Sequence, residues 1–190
     1  MKRRYTLGKR AEQQAETRRK IVEAAVELHT EIGPVRTTVS MVAERAGVQR
    51  HTFYAHFPEE RDLLMACSGL AEERDPPPDA APWRAIADPA ERLRTGLSAL
   101  YAHFDRNAQL IATIFRDAEV SPLLRDIIRI RRGARTAETH AVLGEGLNER
   151  QQVLMRVATS FYTWRTLVRD NGLTLQQAVE TMVTAIIAAR

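Results

Sequence analysis

Six hydrogen-bonding side chains crowd one short stretch: Gln49, Arg50, His51, Thr52, Tyr54 and His56, interrupted only by Phe53 and Ala55. On a helix turning ~100° per residue, Phe53 and Phe57 share one face. His51, Thr52 and Ala55 lie roughly opposite; Arg50 and Tyr54 flank one side, Gln49 and His56 the other. Such a helix buries two rings and presents donors and acceptors on its remaining sides. The major groove of duplex DNA calls for this layout: the outward face near the N-terminus meets base edges, and the flanks meet the two phosphate walls. Arg50 is the best-placed base reader, because a guanidinium can grip O6 and N7 of guanine bidentately. Gln49 and His51 are weaker readers. Thr52 and Tyr54 suit phosphate oxygens, and the small Ala55 lets the backbone come close.

A helix this short needs a partner to hold it. Upstream, Thr38 is a plausible N-cap for a second short helix that ends near Ala46, and Gly47 can supply the positive φ of a tight turn. Ala43, four residues before Gly47, is small enough to let the two helices cross closely, and Val42, Val48 and Phe53 form the buried wedge. This is the layout of a helix-turn-helix. The free N–H groups at the start of the first helix add an anion site beside Thr38 and Ser40. The candidate DNA-binding set is therefore Thr38, Ser40, Gln49, Arg50, His51, Thr52, Tyr54 and His56.

Charge supports a polyanionic partner. The chain has 190 residues and a formal net charge of +4. Residues 1–20 hold eight Lys or Arg against two Glu, so this stretch carries +6 and the remainder −2. A basic leading arm suits the DNA backbone or minor groove; a solubilising tail is the plainer reading, and charge alone does not separate them. With 44% hydrophobic and 27% charged residues the composition is globular. A single cysteine, Cys67, excludes an internal disulfide and a Cys-cluster zinc site. The longest apolar stretch, 182–189, is too short to span a bilayer, and no apolar segment follows the basic start as in a secretory signal. The expectation is a cytoplasmic protein with no membrane association.

The rest of the chain also reads as helix. Periodicity and capping residues predict helices over about 11–31, 59–73, 89–106, 109–117, 122–143, 148–170 and from 174 to the end, with Asp88 and Thr174 as N-caps. Residues 75–82 hold four of the eight prolines and read as a stiff extended connector. The expected fold is all-α: an N-terminal three-helix head with its arm over 1–58, and a helical C-terminal domain over 59–190.

Several residue blocks, with their spacing, resemble the tetracycline-repressor (TetR/AcrR-like) family of bacterial transcriptional regulators: Thr17-Arg18, Ile21, Ala24-Ala25, Leu28 and Gly33; Thr37-Thr38-Val39, Val42-Ala43 and Ala46-Gly47-Val48; Thr52-Phe53-Tyr54, His56-Phe57 and Leu63-Leu64. The resemblance covers about residues 16–65. It implies a homodimer in which the last two long helices, about 148–170 and 174–190, pair with their twins in a four-helix bundle. It implies a double-stranded operator, a small-molecule effector enclosed by the middle helices, and release from the operator when the effector binds, as in a repressor. Two departures stand out. Glu60 occupies a position where family members often have a phosphate-binding Lys, with Arg61 next to it as a substitute. Gln49 and His51 replace the frequent Ser and Gly or Pro, which implies a different operator sequence.

Helical aromatics outside the head are core residues first and pocket residues second. Tyr101, Phe104, Phe115, Tyr162 and Trp164 are the candidates for an effector pocket. Arg125, Arg129, Arg131, Arg132 and Arg135 could hold an anionic effector, although a solvated helix face is the simpler reading. On the same helix Leu123, Ile127, Ile130, Ala134, Ala137 and Ala141 form the expected buried stripe. His29, His103 and His140 stand alone, without metal-ligand spacing, and no nucleophile motif or phosphate loop is present. Neither a metal, a cofactor nor an enzymatic activity is expected. A helical adaptor of the same fold that does not bind DNA is the alternative function.

Overall fold

In the computed structural model the described residues are the backbone of 2–189 and the side chains of 8–189. The elements run α1 (Lys2–Glu31), α2 (Val39–Ala46), α3 (Arg50–His56), α4 (Glu60–Arg74), α5 (Pro89–Arg106), α6 (Ala108–Ala118), α7 (Pro122–Leu143), α8 (Glu149–Ala158), α9 (Phe161–Trp164) and α10 (Leu175–Ala188). Short 3-10 turns occupy Pro34–Arg36 and Ala81–Ala85, and a π-helical segment, Arg165–Asp170, follows α9. No strand occurs among the described residues, in keeping with the all-α expectation.

Local chemistry starts the helices where the caps predict. The Asp88 carboxylate accepts from the Glu91 N–H at 3.0 Å. Thr174 and Gln177 form a reciprocal capping box, as do Asn148 and Gln151.

Four expectations need correction. The basic arm is not separate from the first helix: residues 2–10 are the opening turns of α1. Residues 9–20 are almost all strong helix formers, and Glu16 pairs with Arg19 and Lys20 at 3.5 Å. The helix expected over 148–170 breaks at Thr159 and Ser160. The Ser160 hydroxyl accepts from the Tyr162 N–H at 3.2 Å and caps a new helix, while the Thr163 hydroxyl donates to the Val157 carbonyl at 2.6 Å. The connector 75–82 is extended only in part, since a 3-10 turn begins at Ala81. On α7 only Ile127 of the expected stripe is fully buried; Ile130 is 52% exposed and Ala134, Ala137 and Ala141 face solvent. Leu124, Thr139, Val142 and Leu143 are the other buried positions. The reason is that α7 serves two cores, so one stripe cannot run its length.

Two compact units result, one of residues 1–76 with 109–128, the other of 77–108 with 129–190. In the first unit Ile21, Ala25 and Leu28 of α1 pack with Val42, Phe53, Phe57, Leu63 and Cys67. Burial of the Cys67 thiol pushes its pKa up to about 12, the behaviour of a core group and not of a reactive thiolate. A smaller cluster joins Leu64 to Ala118, Leu124 and Ile127. In the second unit α10 packs on α5 and α8. Gly96 sits so close to its neighbours that a Cβ there would lie 2.6 Å from a Leu143 methyl. Arg92 is buried and donates to the carbonyls of Ile86 and Glu145.

Candidate nucleic-acid interface

The turn between α2 and α3 is made as its residues require. Thr38 is extended (φ −95°, ψ 156°), and its hydroxyl accepts from the Met41 N–H at 3.3 Å. Gly47 takes the left-handed conformation (φ 67°, ψ 33°). The Gly47 N–H bonds to the Glu44 carbonyl at 3.1 Å and the Val48 N–H to the Ala43 carbonyl at 2.9 Å. This pairing closes the orphan carbonyls of α2 in a Schellman motif. Val42, Ala43, Phe53 and Phe57 are buried beneath the turn. The two α3 rings lie 6.0 Å apart, and Tyr54 meets Phe53 edge-on at 5.6 Å. Arg45 ties α2 to α1 through Glu31, at 2.9 Å, and Glu27, at 3.3 Å.

With that face occupied, the rest of α3 turns outward. Thr38, Ser40, Gln49, Arg50, His51 and Tyr54 are exposed, while Thr52 and His56 are half-buried. The Thr52 hydroxyl and His51 Nε2 lie 3.3 Å apart. Arg50 makes no hydrogen bond or ion pair to another described residue, so its five donors face solvent. The structure thus brings the eight sequence candidates onto the α2 N-terminus and the open side of α3. The chemistry available there is anion binding by backbone N–H groups and hydroxyls, and bidentate donation by a guanidinium.

Around this surface the structure redistributes several charges. Glu60 is exposed in the first turn of α4, where a carboxylate suits the positive end of the helix dipole. Arg61, the substitute next to it, pairs with Asp126 at 3.5 Å, both side chains about half exposed. Arg18 donates from Nη1 to the His56 carbonyl at 2.9 Å, and its Cζ lies 4.1 Å from the Phe57 ring centroid. The sequence places Arg18 among the arm charges and, beside Thr17, in the family-like block, but assigns it no contact of its own. Also unforeseen was a polar knot behind the Gly33 turn, with Asp117 buried and Arg116 about half exposed. The Asp117 carboxylate accepts from the Val35 N–H at 2.9 Å and pairs with Arg116 at 2.7 Å, and Arg116 donates to the Ile32 carbonyl at 2.8 Å. Thr113 donates to the His29 carbonyl at 2.8 Å. Burial lowers the His29 pKa to about 4 against the opposing pull of Asp117.

The pocket candidates are only partly gathered. Tyr101, Phe104 and Trp164 are buried in one aromatic cluster with Phe161, which lies 5.2 Å from Trp164 and 5.7 Å from Phe104. Tyr101 donates to the Ala158 carbonyl at 2.9 Å, while the Trp164 indole N–H is buried without a partner. Tyr162 points outward, 47% exposed, and Phe115 belongs to the other unit. Arg125 caps α6 through the Ala118 carbonyl at 2.8 Å and the Glu119 carbonyl at 3.1 Å, a structural use. No helix among the described residues is long and apolar enough to cross a membrane.

Comparison with known proteins agrees with this geometry. Residues 21–67 match the family model described as "Bacterial regulatory proteins, tetR family". A stretch of 55 residues is 42% identical to the HTH-type transcriptional regulator TtgR of Pseudomonas putida, covering 29% of this chain and 26% of that protein. The match therefore spans about a quarter of that relative. Two solved structures share the fold over most of both chains. FadR of Bacillus subtilis in complex with stearoyl-CoA is 22% identical with a TM-score of 0.61, over 89% of this chain and 97% of the other. AibR in complex with isovaleryl coenzyme A and operator DNA is 21% identical with a TM-score of 0.62, over 89% and 97%. At those identities the likeness is one of fold.

Proposed function

We infer, for a chain that belongs to the tetR family of bacterial regulatory proteins, a sequence-specific DNA-binding transcriptional repressor whose release is triggered by a small molecule. The observation that carries this reading is α3: its two rings are buried, its polar face is open, and Arg50 has no partner among the described residues where a recognition helix needs a base reader. In this reading Thr38, Ser40, Thr52 and Tyr54 hold phosphates, Arg50 with Gln49 and His51 reads bases, and His56 closes the flank. The basic start of α1 adds phosphate contacts by prolonging a helix.

A second copy of the chain completes the reader. Val153, Val157, Tyr162 and Ile187 are large apolar side chains left 40–59% exposed on α8, α9 and α10. Val153 and Val157 are one turn apart and share a face. An apolar strip on these helices suits a two-fold dimer built from residues 148–170 and 174–190. Such a dimer presents two copies of α3 to a near-palindromic site. The effector reading rests on the Tyr101–Phe104–Trp164 cluster with Phe161, and the effector acts only through unequal affinity for the bound and released states.

The test is selection of duplexes from a random-sequence pool by the full chain. Enrichment of a near-palindrome, bound by a dimer, supports the reading. Equal affinity for the enriched and a scrambled duplex overturns it in favour of an adaptor of the same fold.

A further inference from the structure

Arg18 is one of the eight basic residues that open the chain, and on charge alone it belongs with the phosphate-binding arm. The geometry points to a different role: Arg18 is the positioning residue that fixes the C-terminus of the recognition helix. This inference rests on the DNA-binding reading of α3 and adds to it the residue that sets the helix's aim.

The argument begins with what α3 lacks. Seven residues are too few for a helix to persist alone, since nucleation costs more than so short a run of bonds returns. Its N-cap, Gln49, makes no side-chain capping bond. At the other end Phe57 N–H closes on the Phe53 carbonyl, but Pro58 has no N–H for the carbonyl of Tyr54. The last carbonyls of a helix need outside donors and favour a cation. Arg18 supplies both from α1: Nη1 donates to the His56 carbonyl at 2.9 Å, and the guanidinium Cζ lies over the Phe57 ring, 4.1 Å from its centroid. Phe57 is itself buried against Phe53 and the α1 core. One side chain thus joins the longest helix of the head to the end of the shortest, 38 residues away.

A lysine could not do the same. Its ammonium can meet one carbonyl, but it lacks the flat face that stacks on a ring. Any tilt of α3 displaces Arg50, at its opposite end, from a base edge where bidentate donation tolerates little misplacement. Arg18 therefore acts on sequence recognition through α3, without touching DNA.

A phosphate contact and a positioning contact differ in salt dependence. The probe is the duplex most enriched by the wild-type chain from a random-sequence pool, titrated over a range of salt. Arg18→Ala is expected to lower affinity for it about tenfold and to leave the slope of log K against log salt unchanged. Affinity for a scrambled duplex is expected to stay the same. Arg18→Lys is expected to recover less than half of the loss in log K. In the free protein, amide hydrogen exchange of residues 54–57 is expected to quicken several-fold in Arg18→Ala, with the α2 amides unaffected. A slope shallower by ~0.9, with equal losses on both duplexes and full recovery by lysine, makes Arg18 a phosphate ligand and overturns the inference. Unchanged exchange at 54–57 overturns it as well. If the wild-type chain enriches no duplex, the DNA-binding reading falls and takes the role in recognition with it, whereas the exchange measurement still decides whether Arg18 anchors α3.

Discussion

Both units contain a short helix bearing aromatic residues, and the two are put to opposite ends. In the head, α3 buries Phe53 and Phe57 and turns Gln49, Arg50 and His51 to solvent. In the second unit, α9 buries Phe161 and Trp164 at an interruption between α8 and a π-helical segment, and its exposed ring is Tyr162. The use of arginine differs in the same way. Arg50 has no partner among the described residues, while Arg92 is buried and donates to two carbonyls. A surface that reads a polymer must keep its polar groups unsatisfied by the protein, in an order matched to a repeating partner. A core that could enclose a small molecule satisfies most of its polar groups internally and leaves few open, here the indole N–H of Trp164 and Nε of Arg92. Damage to the two regions should therefore separate into stability and recognition.

The largest effect is expected at the second helix. Trp164→Ala should destabilise the second unit by ~3–5 kcal/mol, as for other buried large rings cut to alanine, measured by urea unfolding. A loss under 1 kcal/mol would mean that the cluster is not a core, and the contrast would fail. In the head, His29 should make stability pH-dependent. Its neutral ring is favoured in the fold, where the pKa is about 4, while the unfolded chain takes up the proton near 6.5. Stability is thus complete above pH 6.5 and drains away as pH falls toward 4, by roughly 3 kcal/mol from this group. His29→Gln should flatten the curve over that window; equal slopes in the two proteins would remove the assignment. Arg50→Ala should cost ~1–3 kcal/mol in binding to the preferred duplex and relax preference at one base pair, with the unfolding midpoint unmoved. A change in stability but not in binding would reverse the comparison. The smallest effect is expected at the turn. Gly47→Ala should cost ~1 kcal/mol, all of it from the positive φ, because a Cβ there meets nothing within 4 Å. A cost several times larger would show a packing role that the geometry lacks.

How legible each region was follows from the range of the forces that build it. The head could be read because its devices act within a few residues. Thr38 caps at three residues' distance, Gly47 closes on Ala43 and Glu44, and Phe53 and Phe57 repeat at one turn. The eight interface candidates lie on that local frame, and so the exposure of six of them could be anticipated, whereas Thr52 and His56 are half-buried. The break after Ala158 escaped because Ser160 and Thr163 are tolerable in a helix and only their hydroxyl bonds, to the Tyr162 N–H and the Val157 carbonyl, tip the balance. The α7 stripe was misjudged because one helix with an apolar period of its own is shared between two cores.

What the chain determines by itself is therefore the helical grammar: caps at Asp88, Asn148 and Thr174, the turn at Gly47, and a short helix with one apolar and one polar face. Only the tertiary structure decides that Arg18 reaches the His56 carbonyl, that Asp117 receives the Val35 N–H across 82 positions, and that Arg61 turns to Asp126. Periodicity carries no record of such bonds. They depend on where two helices cross, and that is set by the packing of whole apolar faces, after which a polar side chain takes whichever buried or capped group comes within its reach.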